Sequence, residues 1–98
     1  MGSNVLPGSL LGRAGGQLAI RPERVGVAIT PFVGEPVIGG TIVEITYLGA
    51  RTACVVALDG GPTVKAETAD LPKDFARGQP VFCRFPPDAL VVLEAEAP

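Results

Sequence analysis

The stretch that decides the fold is residues 41–67, which read TIVEITYLGARTACVVALDGGPTVKAE. Turn signals at Gly49 and at Gly60-Gly61 divide this stretch into three runs that are rich in Val, Ile and Thr, as hairpin turns divide strands. Apolar and polar residues alternate within these runs, and a period of two is typical of half-buried strands. The predicted antiparallel strands cover 41–48, 52–58 and 63–67.

The alternation assigns side chains to the core face of each strand. The predicted inward residues are Val43, Ile45 and Tyr47 in the first strand, Thr52, Cys54, Val56 and Leu58 in the second, and Val64 and Ala66 in the third. Some outward positions are also apolar, namely Ala53, Val55, Ala57 and, on a later strand, Phe82. An outer apolar stripe is therefore expected, covered either by residues 5–29 or by an intermolecular contact.

The flanking sequence extends this pattern on both sides. After the third strand, residues 68–79 form a polar connector in which Leu71 and Phe75 could plug one end of a barrel. Further predicted strands cover 80–85, with Val81, Cys83 and Phe85 inward, and 90–93. Before residue 41, the sequence predicts a short hairpin whose two apolar segments are separated by Gly15-Gly16. A strand over 25–29 follows it. Residues 30–40, which are rich in Pro and Gly, are predicted to form a loop. The whole pattern predicts an all-β fold, an OB-like small β-barrel of about five strands with an N-terminal β extension.

The chain length of 98 residues accommodates one small domain. Residues 1–3 are interpreted as an added remnant. Residues 4–38 are assigned to the N-terminal β segment, which contains an Arg-Pro-Glu motif, and residues 39–98 to the barrel.

Composition narrows the function classes. Eight Lys and Arg against ten Asp and Glu give a net charge of −2, so nucleic acid is not an expected partner. Histidine is absent, and the two cysteines are not in a C-x-x-C pair, so the commonest catalytic base and a zinc motif are both missing. The carboxylates fall mostly on outward strand positions or in turns, where solvated Asp and Glu are expected. The apolar stretches are too short to span a bilayer and no signal peptide is evident, so a soluble, non-enzymatic chain without a metal site is expected.

Several short motifs carry a resemblance to a known family. They are LAIRPERV at 18–25, GTIV at 40–43, YLG at 47–49, Thr52, VALDGG at 56–61 and GQPV at 78–81. In combination they resemble the TOBE domain, the transport-associated OB domain at the C-terminus of ATP-binding subunits of bacterial ABC importers. The variant in importers for polyamines and ferric iron is the most similar. The segment NVLPG at 4–8 resembles the stretch by which these subunits enter the domain.

The resemblance implies a non-catalytic accessory domain that supports subunit dimerisation and regulates ATP-driven solute uptake. No cofactor is expected in this chain, which lacks Walker and ABC signature motifs, because ATP and Mg²⁺ would bind to the absent ATPase domain. The implied partners are that ATPase domain, a second copy in a homodimer, and membrane permease subunits. The implied location is the cytoplasm, at the inner face of the cell membrane.

Two sets of site residues follow. Pro22 fixes an extended bend from which Arg21 and Glu23 project to a common side, where they either pair across a domain junction or form a solvated charged loop. Val55, Ala57 and Phe82 are the other predicted interface residues. The alternative function is a free-standing module in which paired barrels bind a small anion or solute, with Arg51, Thr52 and Arg84 as candidate contacts.

Overall fold

A computed structural model of the chain describes residues 3–13, 16–30, 37–69 and 75–93. Eight strands are present in these ranges, β1 (Asn4–Pro7), β2 (Gln17–Ile20), β3 (Gly26–Ala28), β4 (Val37–Leu48), β5 (Arg51–Leu58), β6 (Thr63–Thr68), β7 (Pro80–Arg84) and β8 (Val91–Leu93). Three single 3-10 turns accompany them, at Gly8–Leu11, Pro22–Arg24 and Pro87–Ala89. Within the described ranges, no helix has the length and apolar character needed to cross a membrane.

The strands form two antiparallel sheets. The larger sheet has the order β3-β7-β4-β5-β6 and the smaller one the order β1-β2-β8. Edge strands β3 and β6 come into contact, so the larger sheet curls toward closure. The predicted all-β, OB-like class is therefore confirmed.

The two predicted hairpins are present. Gly49 lies in the β4–β5 turn and Gly60 in the β5–β6 turn, with φ of 78° and 69°. These left-handed backbone conformations carry little steric cost only for glycine, so the glycines allow the chain to reverse in short turns. In the register of the hairpins, Leu48 pairs with Arg51 and Ala57 with Thr63.

One hydrophobic core joins both sheets. It combines Leu6, Ile20 and Val25 from the N-terminal part with side chains of β4 to β7 and with Phe75. The core faces predicted for the later strands are confirmed, because the following residues are buried: Cys54, Val56, Leu58, Val64, Ala66, Val81, Cys83 and Phe85. Phe75 is buried as expected, whereas Leu71 lies outside the described residues. The core thus contains residues from both the expected N-terminal β segment (4–38) and the expected barrel (39–98).

The face predicted for β4 is wrong for two of its three residues, Val43 and Tyr47. Register shifts between Ile42, which pairs with Val56, and Glu44, which pairs with Val55, so Val43 is an extra residue in a β-bulge. The extra residue places Ile42 on the core side, where it is buried, and Val43 on the outer side, where it is 40% exposed. Tyr47 follows Ile45 in the alternation, but it lies near the turn that ends β4 and is 67% exposed. Ile45, beyond the bulge, returns to the core side as predicted.

Two further predictions about the strands are corrected. Residues 37–40 were expected in a loop, but they begin β4 and pair with β7. The last strand, β8, was expected in the barrel, but it pairs with β2 in the smaller sheet, and β3 is the fifth strand of the larger one. Gly15, at the predicted N-terminal turn, lies outside the described residues.

A side chain closes the free edge of the larger sheet. The Asn4 amide group donates from Nδ2 to the Lys65 carbonyl oxygen at 2.8 Å and accepts at Oδ1 from the Lys65 N–H at 2.8 Å. Lys65 lies in β6, which is the last strand in the hydrogen-bonded order of the larger sheet as formed by the described residues. Asn4 thus supplies at this position the bonds that another strand would make, and it ties the smaller sheet to the larger one.

Candidate functional site

A cleft of about 290 Å³ brings basic side chains from three elements together. Arg24 comes from the Pro22–Arg24 turn, Arg51 from the start of β5 and Arg84 from the end of β7. Glu23 and Glu67 also line this space. We call it the arginine cleft, after Arg24, Arg51 and Arg84. Two of the three predicted ligand contacts, Arg51 and Arg84, therefore meet in one place, as the alternative function requires.

The third predicted contact, Thr52, is not among the lining residues. It pairs in the β-ladder with Tyr47 on one side and Thr68 on the other. Arg24 was not among the residues predicted from the sequence, because a residue in a short turn has no alternation from which its direction could be inferred. Its position directly after the Arg-Pro-Glu motif is the one signal that could have drawn attention to it.

Carboxylates hold two of the cleft arginines in place. Arg24 Nη2 donates to Asp88 Oδ2 at 3.3 Å, which links the Pro22–Arg24 turn to the Pro87–Ala89 turn. Arg51 Nε donates to Glu67 Oε1 at 3.1 Å, and its Nη2 donates to the Glu67 carbonyl oxygen at 3.3 Å. These partly exposed pairs add little stability, but they restrict where the guanidinium groups point.

The Arg-Pro-Glu motif forms an exposed turn. Arg21 has extended backbone angles, with φ −73° and ψ 146°, and Pro22 begins the 3-10 turn, as its fixed φ favours. Arg21 Nη1 lies 3.9 Å from Glu23 Oε2, so the two side chains do lie on a common side, and that of Arg21 is 77% exposed. Their proposed role at a domain junction stays a prediction.

The outer apolar stripe is half-buried along its length. Ala53, Val55, Ala57 and Phe82 all have intermediate exposure. Ala53 and Val55 line a groove of about 370 Å³ together with Pro22, which belongs to the N-terminal segment. The predicted interface role of Val55, Ala57 and Phe82 remains a prediction.

A second apolar feature lies on the smaller sheet. Val5 pairs with Ala19, and Ala19 pairs with Val91, so the three side chains share one face across β1, β2 and β8. We call these three residues the outer apolar row. Val5 and Val91, at its two ends, are 47% and 58% exposed. Ala19 and Val91 also line a groove of about 440 Å³ with Arg21 and Asp88.

The two cysteines are core residues. Both thiols are free and buried. Burial raises the pKa of Cys54, and burial together with the nearby Cys54 raises the pKa of Cys83 from 9.0 to about 12. Since metal binding and nucleophilic attack need the thiolate, this environment disfavours both. The described residues contain no group of three or more His, Cys, Asp or Glu placed to hold a metal ion.

A small OB-like barrel that carries a charged cleft and an exposed apolar sheet face has the architecture of a binding domain. Residues 18–93 match the sequence profile of the TOBE domain family. That match spans most of the 98 residues, and the chain belongs to the TOBE domain family.

Comparison with solved structures agrees on the fold. The cytoplasmic molybdate-binding protein ModG, in its PEG-grown form with molybdate bound, is similar with a TM-score of 0.66 at 13% sequence identity. The similarity covers 87% of this chain and 67% of that chain. A search of curated proteins found no match.

Proposed function

We propose that the chain is a non-catalytic accessory domain of an ABC importer ATPase subunit, where it supports subunit dimerisation and regulates ATP-driven solute uptake. The outer apolar row is the observation that carries this proposal. Membership of the TOBE family and the motifs at 18–25, 40–43 and 47–49 support it. The domain would act by docking, while ATP and Mg²⁺ bind to the ATPase domain.

The outer apolar row is suited to protein contact. Val5 and Val91 are exposed on one sheet face, with the buried Ala19 between them. Exposed apolar side chains that are grouped on one face mark interaction surfaces more often than scattered ones do. The adjacent edge strand β8 consists of Val91, Val92 and Leu93, so it contains none of the charges or prolines that commonly protect free edges. A partner that covers this face would bury both the outer apolar row and the free edge of β8.

The expected occupant of this face is the ATPase domain of the same subunit. Residues 4–8 resemble the segment by which such subunits enter the TOBE domain, and they include β1, which contributes Val5 to the row. A domain that precedes this strand would therefore be attached next to the face it covers. A second copy in the homodimer and the permease subunits complete the proposed assembly, at the inner face of the cell membrane.

The first test is the intact mass of the native polypeptide that carries this sequence, detected in source-cell extract with an antibody against the domain. We expect a product several-fold heavier than 10.0 kDa, since an ATPase domain must be included. A native product of the domain's own mass would overturn the proposal and favour a free-standing small-ligand module.

The second test addresses the docking face in the full subunit. Val91→Lys places a charge in the outer apolar row and should weaken docking, measured as a loss of dimer and of ATPase coupling. Val43→Lys is the matched control, because Val43 is an exposed valine at the bulge of the other sheet. Equal behaviour of the two variants would contradict docking at this face.

The Arg-Pro-Glu turn gives a third test of the same proposal. Arg21→Ala in the full subunit should loosen domain docking and lower ATPase coupling if Arg21 pairs across the junction. Unchanged coupling together with unchanged thermal stability would assign this turn to solvent.

A further inference from the structure

The smaller sheet ends in an edge strand, β8, that is open to another strand. In the part of the chain that the structure describes, the order β1-β2-β8 leaves β8 hydrogen-bonded to a strand on one side only. The opposite edge strand, β1, is tied to β6 by the two bonds between Asn4 and Lys65, and β3 and β6 contact each other. Among the four edge strands, β8 is therefore the one to which a further strand can most readily add.

The side chains of β8 are exposed on both faces of the sheet. Val91, Val92 and Leu93 are 58%, 61% and 36% exposed. Successive side chains of a strand point to opposite faces, so Val91 and Leu93 lie on the face of the outer apolar row and Val92 lies on the other face. A domain that covers the outer apolar row alone would leave the Val92 side chain in water. Exposure on both faces therefore indicates a partner that adds at the edge.

The core face of the smaller sheet is incomplete at the same edge. Leu6 pairs with Leu18, and Leu18 pairs with Val92, so the three residues form a row across β1, β2 and β8. Leu6 and Leu18 are fully buried, whereas Val92 is exposed at the end of the same row. An apolar side chain placed against Val92 would extend the buried row and would remove further apolar surface from water.

The sequence of β8 suits a second copy of the same strand. In an antiparallel pair with twofold symmetry about Val92, this residue lies opposite Val92 of the second copy, and Val91 lies opposite Leu93 of the second copy. Residues that lie opposite each other share a face, so apolar side chains meet on both faces and the two core rows join. Since β8 contains no charged residue, the symmetry brings no like charges together.

We propose that the free edge of β8 pairs with β8 of a second copy of this chain, so that the two smaller sheets form one continuous antiparallel sheet. The inference deepens the proposed dimerisation and rests on the proposed function only for the role of the dimer in the subunit. A pair of three-residue strands buries less area than the roughly 1,200 Å² of a standard interface. The 98-residue chain alone should therefore form a weak, reversible dimer.

The first test is sedimentation velocity of the 98-residue chain over a concentration series. We expect the dimer fraction to rise with concentration. Val92→Lys should weaken the dimer roughly tenfold or more, because the symmetry removes the apolar contact and places two like charges opposite each other. Val43→Lys is the matched control, since it places the same charge at an exposed valine of the other sheet, and it should dimerise as the parent chain does. Circular dichroism verifies that both variants are folded.

A charge exchange tests the position of the symmetry axis. Val92→Glu should weaken the dimer as Val92→Lys does, but a mixture of the two variants should form a heterodimer roughly tenfold tighter than either homodimer, because Lys and Glu then lie opposite each other. A parent chain that is monomeric at every concentration, equal weakening by Val43→Lys, or a mixture that stays monomeric would each overturn the proposal. These results concern the 98-residue chain, so they leave the docking of the ATPase domain to be decided by the native mass and by Val91→Lys.

Discussion

At the residue scale, Asn4 shows how one side chain can replace a missing strand. Its amide group has a donor and an acceptor, as a backbone peptide group does, and both are used by Lys65 at 2.8 Å. Edge strands expose such backbone groups and thereby invite pairing with other chains. Because its side chain bonds to the backbone N–H and carbonyl oxygen of Lys65, Asn4 both protects the β6 edge at this position and joins the two sheets.

Asn4→Ala should lower the free energy of unfolding by about 1–2 kcal/mol, since two hydrogen bonds are lost at a partly exposed position. Urea unfolding followed by far-UV circular dichroism measures the change. Ser3→Ala is the matched control, because Ser3 is an exposed polar residue directly before β1. Equal stabilities of the two variants would show that water replaces Asn4 without cost.

The burial of the two cysteines should make the free energy of unfolding fall as the pH rises above 9. Burial, with Cys54 nearby, raises the pKa of Cys83 to about 12, while the unfolded thiol keeps its ordinary value near 9.0. Above pH 9 the unfolded chain therefore releases a proton that the folded chain retains, and this difference favours unfolding. The contribution is neutral below pH 9 and destabilising as pH rises toward 12.

The free energy of unfolding should therefore fall between pH 8 and pH 10, by at most about 1.4 kcal/mol per pH unit for each thiol. Cys83→Ala removes one of the two thiols, so the free energy of unfolding of this variant should fall less between pH 8 and pH 10. At pH 8 the variant should already be less stable than the parent chain, because the substitution leaves a cavity in the core. Urea unfolding at both pH values measures the two falls. Parallel pH profiles for the two proteins would contradict the assignment to Cys83.

At the element scale, the close pairing of β4 with β5 depends on a glycine. A Cβ at Gly40 would lie 2.7 Å from the Ala57 carbonyl oxygen and 2.8 Å from Val56 Cγ1. A backbone atom in the middle of a ladder cannot move aside without disturbing the register. A Cβ at Gly61 would lie 2.9 Å from Leu10 Cδ1, the end of a flexible side chain.

Gly40→Ala should accordingly cost about 1–3 kcal/mol of stability, as overpacked core substitutions do. Gly61→Ala should be close to neutral, because the Leu10 side chain can move and the unfolded chain loses entropy. Thermal and urea unfolding of both variants measure the difference. If the two variants lost the same stability, close backbone approach at Gly40 would not be the cause.

The elements also show what the sequence could reveal. Alternation predicted the core faces of β5, β6 and β7 correctly, because none of these three strands contains an extra, bulged residue. In β4 the extra residue at Val43 defeats that rule, and nothing in the local pattern marks a bulge. The three residues of β8 are too few to specify a partner, so its place beside β2 is set by tertiary packing.

At the scale of the whole molecule, the two sheets are one folding unit. Leu6 from β1 is fully buried in the same core as Ile42 and Phe85 from the part of the chain assigned to the barrel. This shared core means that neither sheet can lose its packing alone. The arginine cleft is likewise a product of the whole fold, so sequence reasoning found Arg51 and Arg84 but not Arg24.

Leu6→Ala should therefore destabilise the entire chain, by about 2–5 kcal/mol, in a single transition. Hydrogen exchange of the β5 amides should become faster in the Leu6 variant, by the amount that corresponds to the loss of stability measured by circular dichroism. Val5→Ala, an exposed neighbour on the same strand, should change stability by less than about 0.5 kcal/mol. Unchanged exchange in β5 of the Leu6 variant would mean that the sheets unfold separately.

The exposed position of Tyr47 has a consequence for spectroscopy. The chain has one tyrosine and no tryptophan, so Tyr47 dominates its intrinsic fluorescence. This ring is two-thirds exposed near the tip of the β4–β5 hairpin, where its environment already resembles that of an unfolded chain. Its ladder partner Thr52 adjoins Arg51 of the arginine cleft. Tyrosine emission should therefore be a sensitive optical reporter of events at that hairpin tip and a poor reporter of the loss of the core.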